Sequence, residues 1–246
     1  MADKHKDITS KTGAEVRETN SSADVAAFLN KARAMTPAKA PDGARGRLVF
    51  ALDATMSRQP TWDVACKLQG EMFRAAGDVG GLDIQLVYFR GFNECRAGKW
   101  ASDASALANM MTRIDCRGGQ TQIGRVLSHV RTETGKKPVQ ALVYVGDAME
   151  ENVDHLCAVA GELGLLKVPV FLFQEGRDPI AEQAFREIAR LTGGAFCRFD
   201  PGSAAQLKDL LSAVAVYAAG GMKALEKLSG KAGGSARLMI EQMGGR

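Results

Sequence analysis

At 246 residues, with 46% hydrophobic and 24% charged side chains, the chain has the make-up of a globular protein with enough apolar material for a substantial core. The net charge of +4 is spread thinly, and no segment joins a dense Lys/Arg block to interleaved aromatics, which argues against nucleic-acid binding. Residues 1–20 lack the layout of a signal peptide, and no apolar run approaches the ~20 residues of a membrane span, so a cytoplasmic protein is expected.

Residues 1–46 are read as an N-terminal tail and linker, ending in the turn-rich Pro37–Gly43, and residues 221–246 as a C-terminal tail. Between them, 47–220 is expected to form one domain. Leu48–Asp53 is the first strand, followed by a helix from about Pro60 to Ala76, with Pro60 in its first turn. Ile84–Phe89 is the second strand, joined by a tight loop around Gly91 to a short polar edge strand, Glu94–Ala101. Helices are expected near Ala104–Met111 and Ile123–Thr132. Then come a strand at Val139–Val145, a helix at Asn152–Leu165 and a strand at Val168–Phe173. A helix at Ile180–Leu191, a strand at Ala195–Phe199 and a closing helix at Ser203–Ala219 complete the order. Apolar strands separated by helices imply a doubly wound α/β fold. The expected sheet is six-stranded and mostly parallel, with one antiparallel edge strand and helices on both faces.

Five cysteines, odd in number and without a C-x-x-C pair, argue against a disulfide framework or a zinc site. His5, His129 and His155 show no ligand spacing and are read as surface residues.

In such a sheet, ligands bind beyond the carboxyl ends of the strands, where strand order reverses. Asp53 ends the first strand, and Asp147 follows Val143-Tyr144-Val145-Gly146 at the end of the fourth. Two carboxylates sharing one crevice raise each other's pKa unless a cation compensates. Asp53-Ala54-Thr55-Met56-Ser57 spaces three oxygen-bearing side chains two apart, and Thr121 follows the pliant Gly118-Gly119-Gln120. An all-oxygen set without His or Cys suits a hard cation such as Mg²⁺, with Mn²⁺ or Ca²⁺ as alternatives.

Asp53-x-Thr55-x-Ser57, then Thr121, then Asp147 resembles the metal-ion-dependent adhesion site of von Willebrand factor A domains. The resemblance covers about residues 47–219, with further support from Leu191-Thr192-Gly193-Gly194 before the last strand. It implies that Thr55, Ser57 and Thr121 contact the metal through hydroxyls, and that Asp53 and Asp147 hold it directly or through water. A partner's Asp or Glu would take the remaining position. Two departures stand out: Thr55 replaces the commoner Ser, and Gly146 stands where the family usually has Thr, which implies weaker support around Asp147.

Arg58, Arg90, Phe92 and Gln120 flank this constellation and are candidates for reading a partner, since aromatics and Arg dominate interface hot spots. For Arg90–Asn93 a plain hairpin turn is the competing reading. Glu150 and Glu151 are read as solvated carboxylates opening a helix. No G-x-S-x-G elbow, Cys/His pair or P-loop frame is visible, so an enzyme is not expected. The expectation is a metal-dependent adaptor or assembly module. The alternatives are a metal-independent scaffold of the same fold and a metal-dependent phosphohydrolase.

Overall fold

Strand runs in which nearly every side chain is apolar have to be covered on both faces, and the architecture follows from that requirement. The computed structural model describes residues 45–62 and 82–199, together with Val214 and Ala218. The elements are β1 (Gly46–Asp53), a 3₁₀ turn (Met56–Thr61), β2 (Leu82–Arg90), β3 (Glu94–Ala101), α1 (Ala104–Met111) and α2 (Ile123–Lys136). They continue with β4 (Ala141–Gly146), α3 (Val153–Leu165), β5 (Val170–Glu175), α4 (Pro179–Leu191) and β6 (Ala195–Phe199).

The six strands lie in the order β3-β2-β1-β4-β5-β6, parallel throughout except for the antiparallel edge strand β3. Successive side chains leave a strand on opposite faces. Leu48, Phe50 and Leu52 of β1 therefore enter one core with Val143, Val145, Phe171 and Phe173. Val49 and Ala51 enter the other with Leu142, Tyr144 and the apolar faces of α2, α3 and α4. Val214 and Ala218 are helical and buried in the first core. Strand order reverses between β1 and β4, where the chain runs outward to β2 on one side and to β5 on the other.

Among the described residues, three helices start on side-chain caps. Asp103 accepts from Ser105 N–H, Asn152 from His155 N–H, and Asp178 from the N–H groups of both Ile180 and Ala181, with Pro179 in the first turn. Gln122, at the start of α2, provides no such cap.

Some boundaries differ from expectation. Pro60 lies inside the 3₁₀ turn instead of opening an α-helix, and the rest of the helix expected to Ala76 lies outside the described residues. So do Cys66, His5, all of the expected closing helix except Val214 and Ala218, and the two expected tails apart from Arg45 and Gly46, of which Gly46 already belongs to β1. β5 begins at Val170 because the Val168 N–H bonds back to Leu163 O at 3.0 Å and Pro169 has no N–H to give a ladder. His129 is no simple surface residue: half-buried, it pairs with Gln85 Oε1 at 2.8 Å, and burial holds its pKa below the usual value. Cys95 and Cys157 are free thiols.

Away from the strand-order reversal, the last turn of α2 is fastened to the sheet by an ionic cluster. Glu133 Oε2 accepts from Arg47 Nη2 and Trp100 Nε1, both at 2.9 Å, and Lys136 reaches the other oxygen at 2.7 Å. The Arg47 guanidinium lies 3.8 Å from the Trp100 ring centre, a cation–π contact. These donors, Lys136 first, pull the Glu133 pKa down from 4.5 to about 2. A folded-state pKa below the unfolded one stabilises the protein above about pH 4.5, and that contribution fades as pH falls toward 2. Glu133→Gln should cost about 3 kcal/mol at pH 7. It should also flatten the loss of stability between pH 4.5 and 2, as read from urea unfolding across that range.

Candidate metal centre

The site is built at the carboxyl ends of β1 and β4. Their parallel register pairs Ala51 with Tyr144 and Leu52 with Val145, so one further step brings Asp53 level with Gly146 and next to Asp147. Asp53 is fully buried. Its Oδ1 accepts the Thr55 N–H at 2.8 Å, which curls the loop immediately after the strand. The same curl brings Thr55 Oγ1 within 3.0 Å of Ser57 Oγ. The other carboxylate oxygen, Asp53 Oδ2, is buried without a hydrogen-bond partner, and so is Asp147 Oδ1.

Backbone bonds gather the remaining loops around this point. Ala54 N–H bonds to Phe89 O at 3.0 Å, and Arg117 N–H bonds to Ala54 O at 3.0 Å. Gln120 N–H bonds to Gly91 O at 3.2 Å. Gly119 permits that approach, because a Cβ there would stand 2.1 Å from Gly91 O. Thr121 is joined to the loop after β4 twice: its N–H donates to Glu150 Oε2 at 3.1 Å, and its Oγ1 accepts the Glu150 N–H at 3.0 Å. A hydroxyl has two acceptor lone pairs, so Thr121 Oγ1 keeps one for a further ligand.

Burial is the largest influence on Asp53. Together with the charge of Asp147 it outweighs the Thr55 hydrogen bonds and nearby Arg58, pushing the Asp53 pKa up from 3.8 to about 6. A cation beside the two carboxylates reverses that balance. Among the described residues no three His, Cys, Asp or Glu side chains cluster as metal ligands. Any ion here would therefore rest on hydroxyls as well as on Asp53 and Asp147. The donor set fits one: two unpaired buried carboxylate oxygens and the hydroxyls of Thr55, Ser57 and Thr121, all oxygen.

The flanking residues divide. Phe92 is 70% exposed and Gln120 is exposed, and both stand on the rim, as does Met56 at 53%. Arg58 does not. It is fully buried and ion-paired with Glu175 at 2.8 Å, which fastens the 3₁₀ turn to the end of β5. Arg90 is buried too, donating to Asp115 O at 2.9 Å and pairing with Asp115 and Glu94. It ties the β2–β3 hairpin to the loop after α1 and does not face outward. Gln122, likewise buried, donates to Arg90 O, Gly91 O and Glu94 O across the same hairpin.

Glu150 and Glu151 are not idle solvated carboxylates. Glu151 accepts the N–H groups of Ile123 and Gly124 at 2.5 and 2.9 Å, giving α2 the cap that Gln122 does not. The signal in the chain was only a pair of acids three and four residues past Asp147; their partners lie 27 to 29 residues away. Tyr144 also escaped notice: its hydroxyl is buried at the same end of β4 without a partner. A Cβ at Gly146 would stand 2.5 Å from that hydroxyl, so the residue before Asp147 has no room for a side chain.

No family model matches the sequence, and no curated protein does. Solved structures do match. A von Willebrand factor type A protein from Catenulispora acidiphila superposes with a TM-score of 0.56 at 18% identity, over 70% of this chain and 43% of that one. An aerotolerance-related membrane protein from Bacteroides fragilis gives 0.53 at 16%, over 68% of this chain and 98% of that one. The VWA domain of SpRpn10 gives 0.55 at 12%, over 69% and 93%. The chain thus spans less than half of the Catenulispora protein and nearly all of the other two. The fold is that of a von Willebrand factor A (VWA) domain.

Because the Asp53 pKa is raised in the fold, the ionised carboxylate destabilises the metal-free protein above pH 6, and that cost is relieved as pH falls toward 3.8. Asp53→Asn should therefore raise metal-free stability at pH 7 by about 2–3 kcal/mol, measured by chemical denaturation in chelator. The same substitution at pH 4 should gain little.

Proposed function

We propose that this VWA domain is a protein-interaction module whose binding centre is a divalent cation, Mg²⁺ by preference, held by Asp53, Thr55, Ser57, Thr121 and Asp147. The observation that carries the reading is the pair of buried, unpartnered oxygens on adjacent strand ends, Asp53 Oδ2 and Asp147 Oδ1. Unpaired buried carboxylate is costly in any fold, and a site that keeps two of them side by side is organised for positive charge. When bound, the ion supplies an electrophilic centre that accepts an Asp or Glu side chain from a partner protein.

Each residue has a distinct task. Asp53 and Asp147 provide the charge. Thr55, Ser57 and Thr121 provide neutral oxygens, and the coordination position that these five residues leave open is the one a partner's carboxylate takes. Arg58, locked to Glu175, holds the turn that carries Ser57. Phe92, Met56 and Gln120 are the exposed side chains placed to choose among partners. The role proposed for this set is that of an adaptor, with binding and not catalysis as its task.

Calorimetric titration with Mg²⁺ and Mn²⁺ tests this directly. Wild type should bind one equivalent saturably in the micromolar to low-millimolar range, and Asp53→Ala and Asp147→Ala should abolish it. Binding that survives both substitutions, or none by the wild type, overturns the metal centre. Partner capture should be lost on adding chelator and restored by Mg²⁺. Capture indifferent to chelator would instead support a scaffold that works without metal.

A further inference from the structure

Tyr144 is an anomaly in an otherwise apolar strand. It is almost wholly buried, and its ring is well packed, 6.3 Å from Phe89 in a near-parallel stack and 5.4 Å from Phe185 edge-on. Phenylalanine would satisfy that packing equally. The hydroxyl, however, has no hydrogen-bond partner, and burying an unpaired hydroxyl costs about 1–3 kcal/mol. Such a cost calls for a use elsewhere.

The geometry says where. Tyr144 and Gly146 point to the same face of β4, and the hydroxyl runs along that face toward the strand's end, into the place a Cβ of residue 146 would occupy. Asp53 continues the Val49–Ala51 side of β1 and comes level with Gly146 on that same face. A hydroxyl donor on Tyr144 and the acceptor Asp53 Oδ2, both buried and neither hydrogen-bonded, thus stand on one face near one strand-end level without being bonded to each other. Burial, and after it the negative charges of Asp53, Glu151 and Asp147, hold the phenol's pKa well above its usual value.

We propose that Tyr144 is a positioning residue for the metal centre: its hydroxyl occupies the space left by Gly146 and orients the carboxylate of Asp53 for a divalent cation. The role rests on the metal-centre reading above. Gly146 and Tyr144 form a matched pair in it, since any side chain at 146 displaces the hydroxyl. Outer partners of this kind fix the orientation of a ligand, and losing one typically weakens metal affinity about 10–100-fold.

Titration of the full chain with Mg²⁺ alone, and separately Mn²⁺ alone, tests the role in Tyr144→Phe and in Gly146→Ala, with melting temperatures recorded in chelator. Tyr144→Phe should bind about tenfold or more weakly while its metal-free melting temperature stays level or rises, because an unpaired buried hydroxyl has been removed. Gly146→Ala should weaken binding comparably, because the hydroxyl is pushed aside with Tyr144 still present. Wild-type binding with Tyr144→Phe equal to it overturns the role of Tyr144 and leaves the metal centre standing. A Tyr144→Phe variant that loses affinity only together with a large drop in metal-free melting temperature also overturns it, as a structural effect. No binding by the wild type removes the metal centre itself, and Tyr144's role with it.

Discussion

The parallel pairing of β1 with β4 is the constraint on which this molecule turns. It places the last residue of one strand beside the end of the other at the point where the sheet's order reverses, and both positions carry carboxylates. A helix dipole or water can satisfy one such group cheaply. Burial of Asp53, with the charge of Asp147 beside it, raises the energy of the ionised form, and the fold carries that cost in the upward shift of Asp53. The rest of the rim serves to hold this unfavourable pair still: Thr55 through its amide, Arg58 through Glu175, the glycine contact between residues 119 and 91, and the double bond between Thr121 and Glu150. Energy stored locally at a site has to be offset by packing elsewhere, and the two extensive cores on either face supply it.

The same arrangement explains why the two arginines beside the site do not face the solvent. A buried guanidinium is tolerated only with charged partners, and each has them: Glu175 for Arg58, Glu94 and Asp115 for Arg90. They act as internal fastenings between loops from different strands. What remains open around the site is mixed: Phe92, Met56 and Gln120 are exposed, and so are the charged Arg117, Asp115 and Glu150.

Much of the fold was readable in the chain because its signals are local. Continuous runs such as Leu142–Val145 and Phe171–Phe173 declare strands buried on both faces. The polar, half-exposed β3 announced an edge. Of the candidate centre, Asp53, Thr55 and Ser57 were legible from their spacing, and Thr121 and Asp147 from their places after a glycine stretch and a strand. Residues whose meaning lies in distant partners were not legible. Arg58 looks like any loop arginine until Glu175, 117 positions later, closes on it, and Glu151 looks like a first-turn acid until α2 arrives with bare amides. Gly146 read as a loss; only the packing of Tyr144 shows that its lack of a side chain is required.

Helix α2 is held at both of its ends. At its start the two oxygens of Glu151 grip its first amides, and in its last turn Glu133 is seized by Arg47 and Trp100. It is a rod clamped at both ends, one clamp on the loop that follows Asp147 and the other on strands β1 and β3. Such a rod neither slides along the sheet nor tilts freely. The loop that follows Asp147 and the ionic cluster at Glu133 are thus joined to the two ends of a single helix.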